Sequence, residues 1–288
     1  MQPSHRQLRP VHYIWIAALL IISPLAGVFY LDRPLTPYLE FPPTTRYIAH
    51  APFKPVVFVL LLFAIGAVCL PVLYRLAAGG PARGSGRRAV FPWWGWLGAM
   101  IVLVSWVLAW NRFSFFQPLQ RYTFAPLWLG YILTVNGLAC RRKGSCLLRS
   151  RRRLFLALFP ASALFWWYFE YLNRFVQNWY YLVGGRISAL EYVVHASVCF
   201  STVLPAVIAT YELLGTFPRL TSPFAAWHPV SIPNRRAVGL VMTGTAVCAL
   251  AGIAVFPDYL FPLVWIAPLL VIVGVRFTSG RSVMFSRI

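Results

Sequence analysis

Acidic residues are scarce in this chain of 288 residues: six Asp and Glu stand against 26 Lys and Arg. Only 11% of the residues are charged, whereas soluble globular domains run at about a quarter. That excludes a soluble domain, and a hydrophobic content of 59% excludes disorder. Asp32 and Asp258 are the only aspartates, so an aspartate-rich magnesium–diphosphate site cannot be built. No HExxH helix motif is present, which excludes an intramembrane zinc protease of that kind. The Gly-rich phosphate loop of nucleotide hydrolases is absent too. The last apolar run carries no Lys, which argues against a retinal Schiff base. Gly84-Ser85-Gly86 lies in a basic segment with no His near it, and reads as a linker. None of the five cysteines (Cys69, Cys140, Cys146, Cys199 and Cys248) forms a CxxC pair. They read as buried, inert thiols, without a disulfide framework or a zinc site.

What is abundant is long apolar sequence. A membrane span needs roughly 20 mostly apolar residues. Eight runs qualify: about 11–31, 55–74, 90–110, 122–140, 154–174, 189–213, 237–256 and 259–275. None shows period-2 alternation, so helices rather than barrel strands satisfy the backbone in lipid. The expected fold is an all-α polytopic membrane bundle of about eight transmembrane helices. It forms a single transmembrane domain over 1–288 with no soluble domain. The last two runs are separated only by Phe256-Pro257-Asp258 and read as a tight hairpin. The first run is longer than a signal-peptide core and has no clean Ala-x-Ala after it, so it reads as a retained helix.

Basic residues set the orientation. With the N-terminus inside, nineteen Lys and Arg fall in inside segments and seven in outside segments. This predicts cytoplasmic N- and C-termini. Arg in place of Lys, with much Ala, Gly and Pro, suggests a bacterial genome, and hence a multi-pass protein of the inner membrane. The Arg residues lie between apolar runs, which points to membrane lipids as partners and not to nucleic acid. The basic run 141–153 reads as a cytoplasmic face touching anionic headgroups. Asp32, Glu40, Glu170, Glu191 and Asp258 all fall at or near the expected outer ends, and only Glu212 at an inner end.

Asn111-Arg112-Phe113 and Asn173-Arg174-Phe175 both close an apolar run at its expected outer end. They mark spans three–four and five–six as a candidate repeat of one helical hairpin.

The densest polar and aromatic stretch runs from Trp166 to Tyr181 and resumes at Glu191 and His195. Helical spacing puts Trp166, Glu170 and Asn173 or Arg174 on one face of the fifth span. It puts Glu191, His195 and Cys199 on one face of the sixth. Joined by a short loop through Gly184-Gly185-Arg186, the two faces are expected to meet at similar depth. Intramembrane ionisable groups are costly and are candidates for function. Glu170, and the Glu191–His195 pair, are the candidate acids or bases; an imidazole can shuttle a proton or bind a metal. Asn173, Arg174, Asn178, Trp166, Trp179 and Tyr180 are the candidate ligand-binding residues, with Arg174 suited to an anionic head. A structural reading stands beside each of these. Glu170 and Arg174 at i, i+4 neutralise each other; Trp179, Tyr180 and Tyr181 form an interfacial belt; His195 bonds only to Glu191. No metal ligand set is read. An axial haem pair of His195 with His50 has no spacing to support it, and no cofactor is assigned. His228, in Trp227-His228-Pro229, reads as an interfacial loop residue.

Three functions follow as expectations. The first is binding or modification of a lipid, isoprenoid or quinone in the outer leaflet half. The second is a non-catalytic subunit or scaffold packed against other integral membrane subunits. A transporter is the third, and it lacks charged midplane residues and a strong inverted repeat.

Overall fold

The computed structural model describes residues 8–43, 47–79, 89–181, 188–225 and 232–280. Gly84-Ser85-Gly86, Gly184-Gly185-Arg186 and Trp227-His228-Pro229 lie outside these. Regular structure among the described residues is entirely helical. In chain order the helices are α1 (Pro10–Tyr30), α2 (Thr36–Leu39), α3 (Pro55–Ala78), α4 (Trp93–Trp110), α5 (Phe124–Lys143), α6 (Leu147–Ser150), α7 (Arg152–Val176), α8 (Ala189–Ser201), α9 (Val203–Leu214), α10 (Pro218–Ala225), α11 (Arg235–Gly252) and α12 (Pro257–Thr278). A 3₁₀ segment, Ser114–Tyr122, precedes α5.

Local chemistry accounts for the boundaries. α1, α3 and α12 start on Pro, whose fixed φ suits the first helical position and whose missing N–H is no loss there. Ser188 caps α8 by accepting from the Glu191 backbone N–H at 3.1 Å, and Asn234 caps α11 through Ala237 N–H at 2.9 Å. Gly144, at φ 80°, ends α5 in the left-handed conformation that only glycine adopts freely.

Five helical stretches are long and apolar enough to cross a membrane: α1, α3, α4, Ala189–Leu214 (α8 with α9) and α12. The 3₁₀ segment and α5, bent by 67°, make a sixth if taken as one span. The expected runs 154–174 and 237–256 are largely helical, as α7 and α11, but fall short of that standard. Both helices begin on paired arginines. α11 ends at Gly252, and α7 carries Glu170, Asn173 and Arg174.

The chain divides into two compact units. Unit 1 comprises Met1–Ala51, Tyr168–Leu182 and Pro229–Ile288; unit 2 comprises Pro52–Trp167 and Val183–His228. Residues 152–167 of α7 belong to unit 2 and 168–176 to unit 1.

In unit 1, α1, α11 and α12 surround a core of Val28, Leu250, Ile253, Val264 and Val271, closed by Leu172 and Val176 of α7. Gly239 and Gly274 bring the α11–α12 hairpin together. A Cβ on Gly239 would lie 2.6 Å from the Gly274 carbonyl, and one on Gly274 would lie 2.7 Å from the Gly239 carbonyl. Such small-residue contacts let membrane helices associate where lipid supplies no hydrophobic drive. Unit 2 repeats the device in its α4–α5 hairpin, where a Cβ on Gly98 would meet the Gly130 carbonyl at 2.7 Å.

Two features of unit 2 correct the sequence reading. The run 189–213 is not one unbroken helix: it divides at Thr202 into α8 and α9. Pro205 has no N–H for the Ser201 carbonyl. One residue earlier, Ser162 of α7 enters the ladder, donating to the Phe200 carbonyl at 2.5 Å and accepting from Leu204 N–H at 3.0 Å. Cys140 and Cys146 are not free thiols but a disulfide. The Gly144 turn reverses the chain, so their Cα atoms lie 4.9 Å apart. Of the other cysteines, Cys69 and Cys248 are exposed and Cys199 is half-buried. The candidate repeat also resolves into two different endings. α4 stops at Trp110 with Asn111 beyond it and exposed, whereas α7 runs through Asn173-Arg174-Phe175 to Val176 with Asn173 fully buried.

Candidate functional site

Glu170 lies in the last two turns of α7 and is fully buried, at 0% exposure. Its Oε1 accepts two hydrogen bonds, from the Trp179 indole N–H at 3.0 Å and from the Tyr181 hydroxyl at 2.5 Å. Its Oε2 is buried with no hydrogen-bond partner. The expected pairing with Arg174 does not form. Aromatic N–H and O–H groups from the turn after α7 take the carboxyl, while Arg174 Nη1 donates to the Tyr38 carbonyl at 2.6 Å. Arg174 Nε is buried without a partner.

Asn173 builds that turn. It is fully buried; its Nδ2 donates to the Trp179 carbonyl at 2.7 Å, and its Oδ1 accepts from Asn178 N–H at 2.9 Å and from Trp179 N–H at 3.3 Å. Gln177 takes a positive φ of 48° to reverse the chain. The turn thereby carries Trp179 and Tyr181 back over Glu170. Asn178 itself is exposed and takes part through its backbone. The Trp179 ring packs on Trp265 with centroids 5.3 Å apart, and Trp265 in turn stacks on Phe169 at 4.8 Å. Tyr180 is exposed and meets Tyr47 edge-on. Trp166 belongs to unit 2, where its ring lies 5.7 Å from Phe200.

The same end of unit 1 holds polar groups that spacing did not reveal. His50 Nδ1 lies 2.6 Å from Asp258 Oδ1, and its Nε2 lies 3.2 Å from the Gln177 carbonyl. Asp258 Oδ2 accepts from Ala51 N–H at 3.1 Å. Arg33 donates to the Ala254 carbonyl at 3.3 Å. A cleft of about 560 Å³ opens here, lined by Arg33, Tyr38, Glu40, Arg174 and Gln177 with Pro34, Pro37, Ile48 and Phe175. The only sequence signal for this cap was the run of acidic residues at one set of span ends. Nothing in the spacing ties His50 to a residue 208 positions away.

Glu191 and His195 lie in unit 2, and they too are not paired as expected. Glu191 accepts from the Tyr122 hydroxyl at 2.7 Å and forms an ion pair with Arg121 at 3.6 Å. His195 meets the Tyr122 ring edge-on at 5.1 Å, with its Nε2 3.6 Å from Cys199 Sγ. Both residues are half-exposed. The 3₁₀ segment inserts Arg121 and Tyr122 beside the first turns of α8, so Glu191 is satisfied before its own helix neighbour competes. Glu170 and His195 therefore head two separate clusters, one in each unit.

Among the described residues no three His, Cys, Asp or Glu side chains gather to hold a metal ion. No family model, curated protein or solved structure matches the chain.

Proposed function

We propose that this is a multi-pass protein of a bacterial inner membrane that binds or modifies a lipid, isoprenoid or quinone around Glu170. The proposal includes eight spans with both termini cytoplasmic, on the nineteen-to-seven division of basic residues; the Cys140–Cys146 disulfide beside the run 141–153 speaks against that orientation, because cytosolic thiols are kept reduced. On that threading Glu170, and the cleft lined by Arg174, would lie in the outer leaflet half. One observation carries the reading: Glu170 is fully buried, with one oxygen held by two donors and the other unpartnered. A buried carboxyl is costly unless its oxygens are satisfied, and an apolar ligand with one polar end completes it. Asn173 positions the donors, Trp179 and Tyr180 supply aromatic surface, and Arg174 holds an anionic head. Glu170 would accept from the ligand or exchange a proton with it; Glu191 and His195 form a second candidate acid–base group in unit 2.

The test is purification in mild detergent, with an absorption spectrum and mass spectrometry of bound small molecules. A stoichiometric lipid, isoprenoid or quinone that Glu170→Gln loses is the expected result. The same molecule retained by Glu170→Gln would refute the site.

A second reading, a scaffold subunit, is favoured by α3. This helix of 24 residues has no buried residue, and its main packing partner within its unit is the short helix α10. A stable set of co-purifying integral membrane chains, with no bound small molecule, would select it.

A further inference from the structure

We propose that the cleft lined by Arg33, Arg174 and Glu40 binds a zwitterionic phospholipid headgroup, a phosphate with an adjoining ammonium. The inference rests on the lipid reading of unit 1 and names the class of lipid.

No direct ion pair neutralises the charges in the cleft. Three ion pairs occur among the described residues, and none includes Arg33, Arg174 or Glu40. Arg174 is held in place by the Tyr38 carbonyl, which leaves its Nε buried and without a partner. Arg33 is held in the same way by the Ala254 carbonyl. Two guanidiniums fixed by backbone carbonyls, with no carboxylate in direct ion-pair contact, form a prearranged phosphate clamp; Arg presents planar donors that match phosphate oxygens.

Glu40 decides the rest of the head. A purely anionic head would meet repulsion from this carboxylate, whereas an ammonium next to the phosphate converts that repulsion into attraction. Gln177 adds a buried, unpartnered Oε1, an acceptor suited to the ammonium N–H groups. Volume is sufficient: the cleft's 560 Å³ falls within the roughly 300–1,000 Å³ of small-molecule sites. Apolar surface from Phe175 and Ile48 accommodates the glycerol end.

The full chain in a maltoside detergent, offered equal amounts of phosphoethanolamine and phosphoglycerol lipids, is examined by native mass spectrometry. Wild type should retain the phosphoethanolamine lipid in preference by about fivefold. Arg33→Gln should lower retention of both by about tenfold. Glu40→Gln should abolish the preference while retaining binding. Melting temperatures near wild type show that both variants are folded; if Arg33→Gln fails to fold, Glu40→Gln decides alone. Equal retention by wild type and Arg33→Gln, or an unchanged preference in Glu40→Gln, overturns the proposal. So does saturable binding of inorganic phosphate with no lipid preference. A bound isoprenoid or quinone with no phospholipid overturns this inference and leaves the function proposed above; no bound molecule at all overturns both.

Discussion

His50 and Asp258 are joined at 2.6 Å although 208 positions separate them in the chain. Asp258 sits in the first turn of α12, where the helix dipole also favours a carboxylate. The opposite edge of the imidazole reaches the Gln177 carbonyl. One side chain thus ties the segment after α2 to the end of α7 and the start of α12. The pair is about one-third exposed, so its coupling should be below about 1 kcal/mol. A double-mutant cycle of His50→Ala with Asp258→Asn by thermal melting measures it. Hydrogen exchange should rise in 47–51 in either single variant; unchanged protection there would show that the tie does not hold the segment.

Glu170 makes two hydrogen bonds from full burial, so the manner of its removal matters. Glu170→Gln keeps an oxygen for Trp179 and Tyr181 and should melt close to wild type. Glu170→Ala strands both donors and should cost about 2–4 kcal/mol. Tyr181→Phe removes one bond and should cost about 1 kcal/mol. Equal melting temperatures for Glu170→Ala and wild type would remove Glu170 from the core of the turn.

His195 has no strong partner in its helix. His195→Gln should fold normally, with a loss of about 0.5–1 kcal/mol from the ring contact with Tyr122. We expect any activity to survive. Loss of activity at an unchanged melting temperature would instead assign a proton-transfer or ligand role to the imidazole, because an amide does not titrate near neutral pH.

Ser162 substitutes for a missing helical hydrogen bond. Ser162→Ala leaves the Phe200 carbonyl and the Leu204 N–H without their bridge and should destabilise by about 1–3 kcal/mol. Adding Pro205→Ala supplies an N–H for the Ser201 carbonyl and should recover part of the loss. Identical melting temperatures for Ser162→Ala and wild type would show that the α8–α9 break closes by itself.

The proposed threading has its own readout. Reporter fusions at Ser150 and Pro229 should report cytoplasm, and fusions at Gln117 and Gly184 the outside. An outside signal at Ser150 would reverse the threading, because the run 141–153 holds seven of the basic residues.

The long apolar runs and the absence of period-2 alternation pointed to helices that fit a membrane, and the helical structure agrees, with five stretches long and apolar enough to cross one. The sequence also marked Glu170, Asn173 and Arg174 as unusual, since polar groups in apolar runs need a reason. Partner choice lay beyond it. Periodicity gives neighbours within one helix, and on that basis Glu170 was expected on Arg174 and Glu191 on His195. The tertiary structure decided otherwise, because a turn or a segment arriving from elsewhere offered a better-placed donor first: Trp179 and Tyr181 for Glu170, Tyr122 and Arg121 for Glu191. The pairing of Cys140 with Cys146 was hidden in the same way. It depends on the left-handed turn at Gly144, a backbone angle that cysteine spacing does not reveal. Hydropathy finds what must leave water; only the folded chain determines which polar groups meet once they have left it.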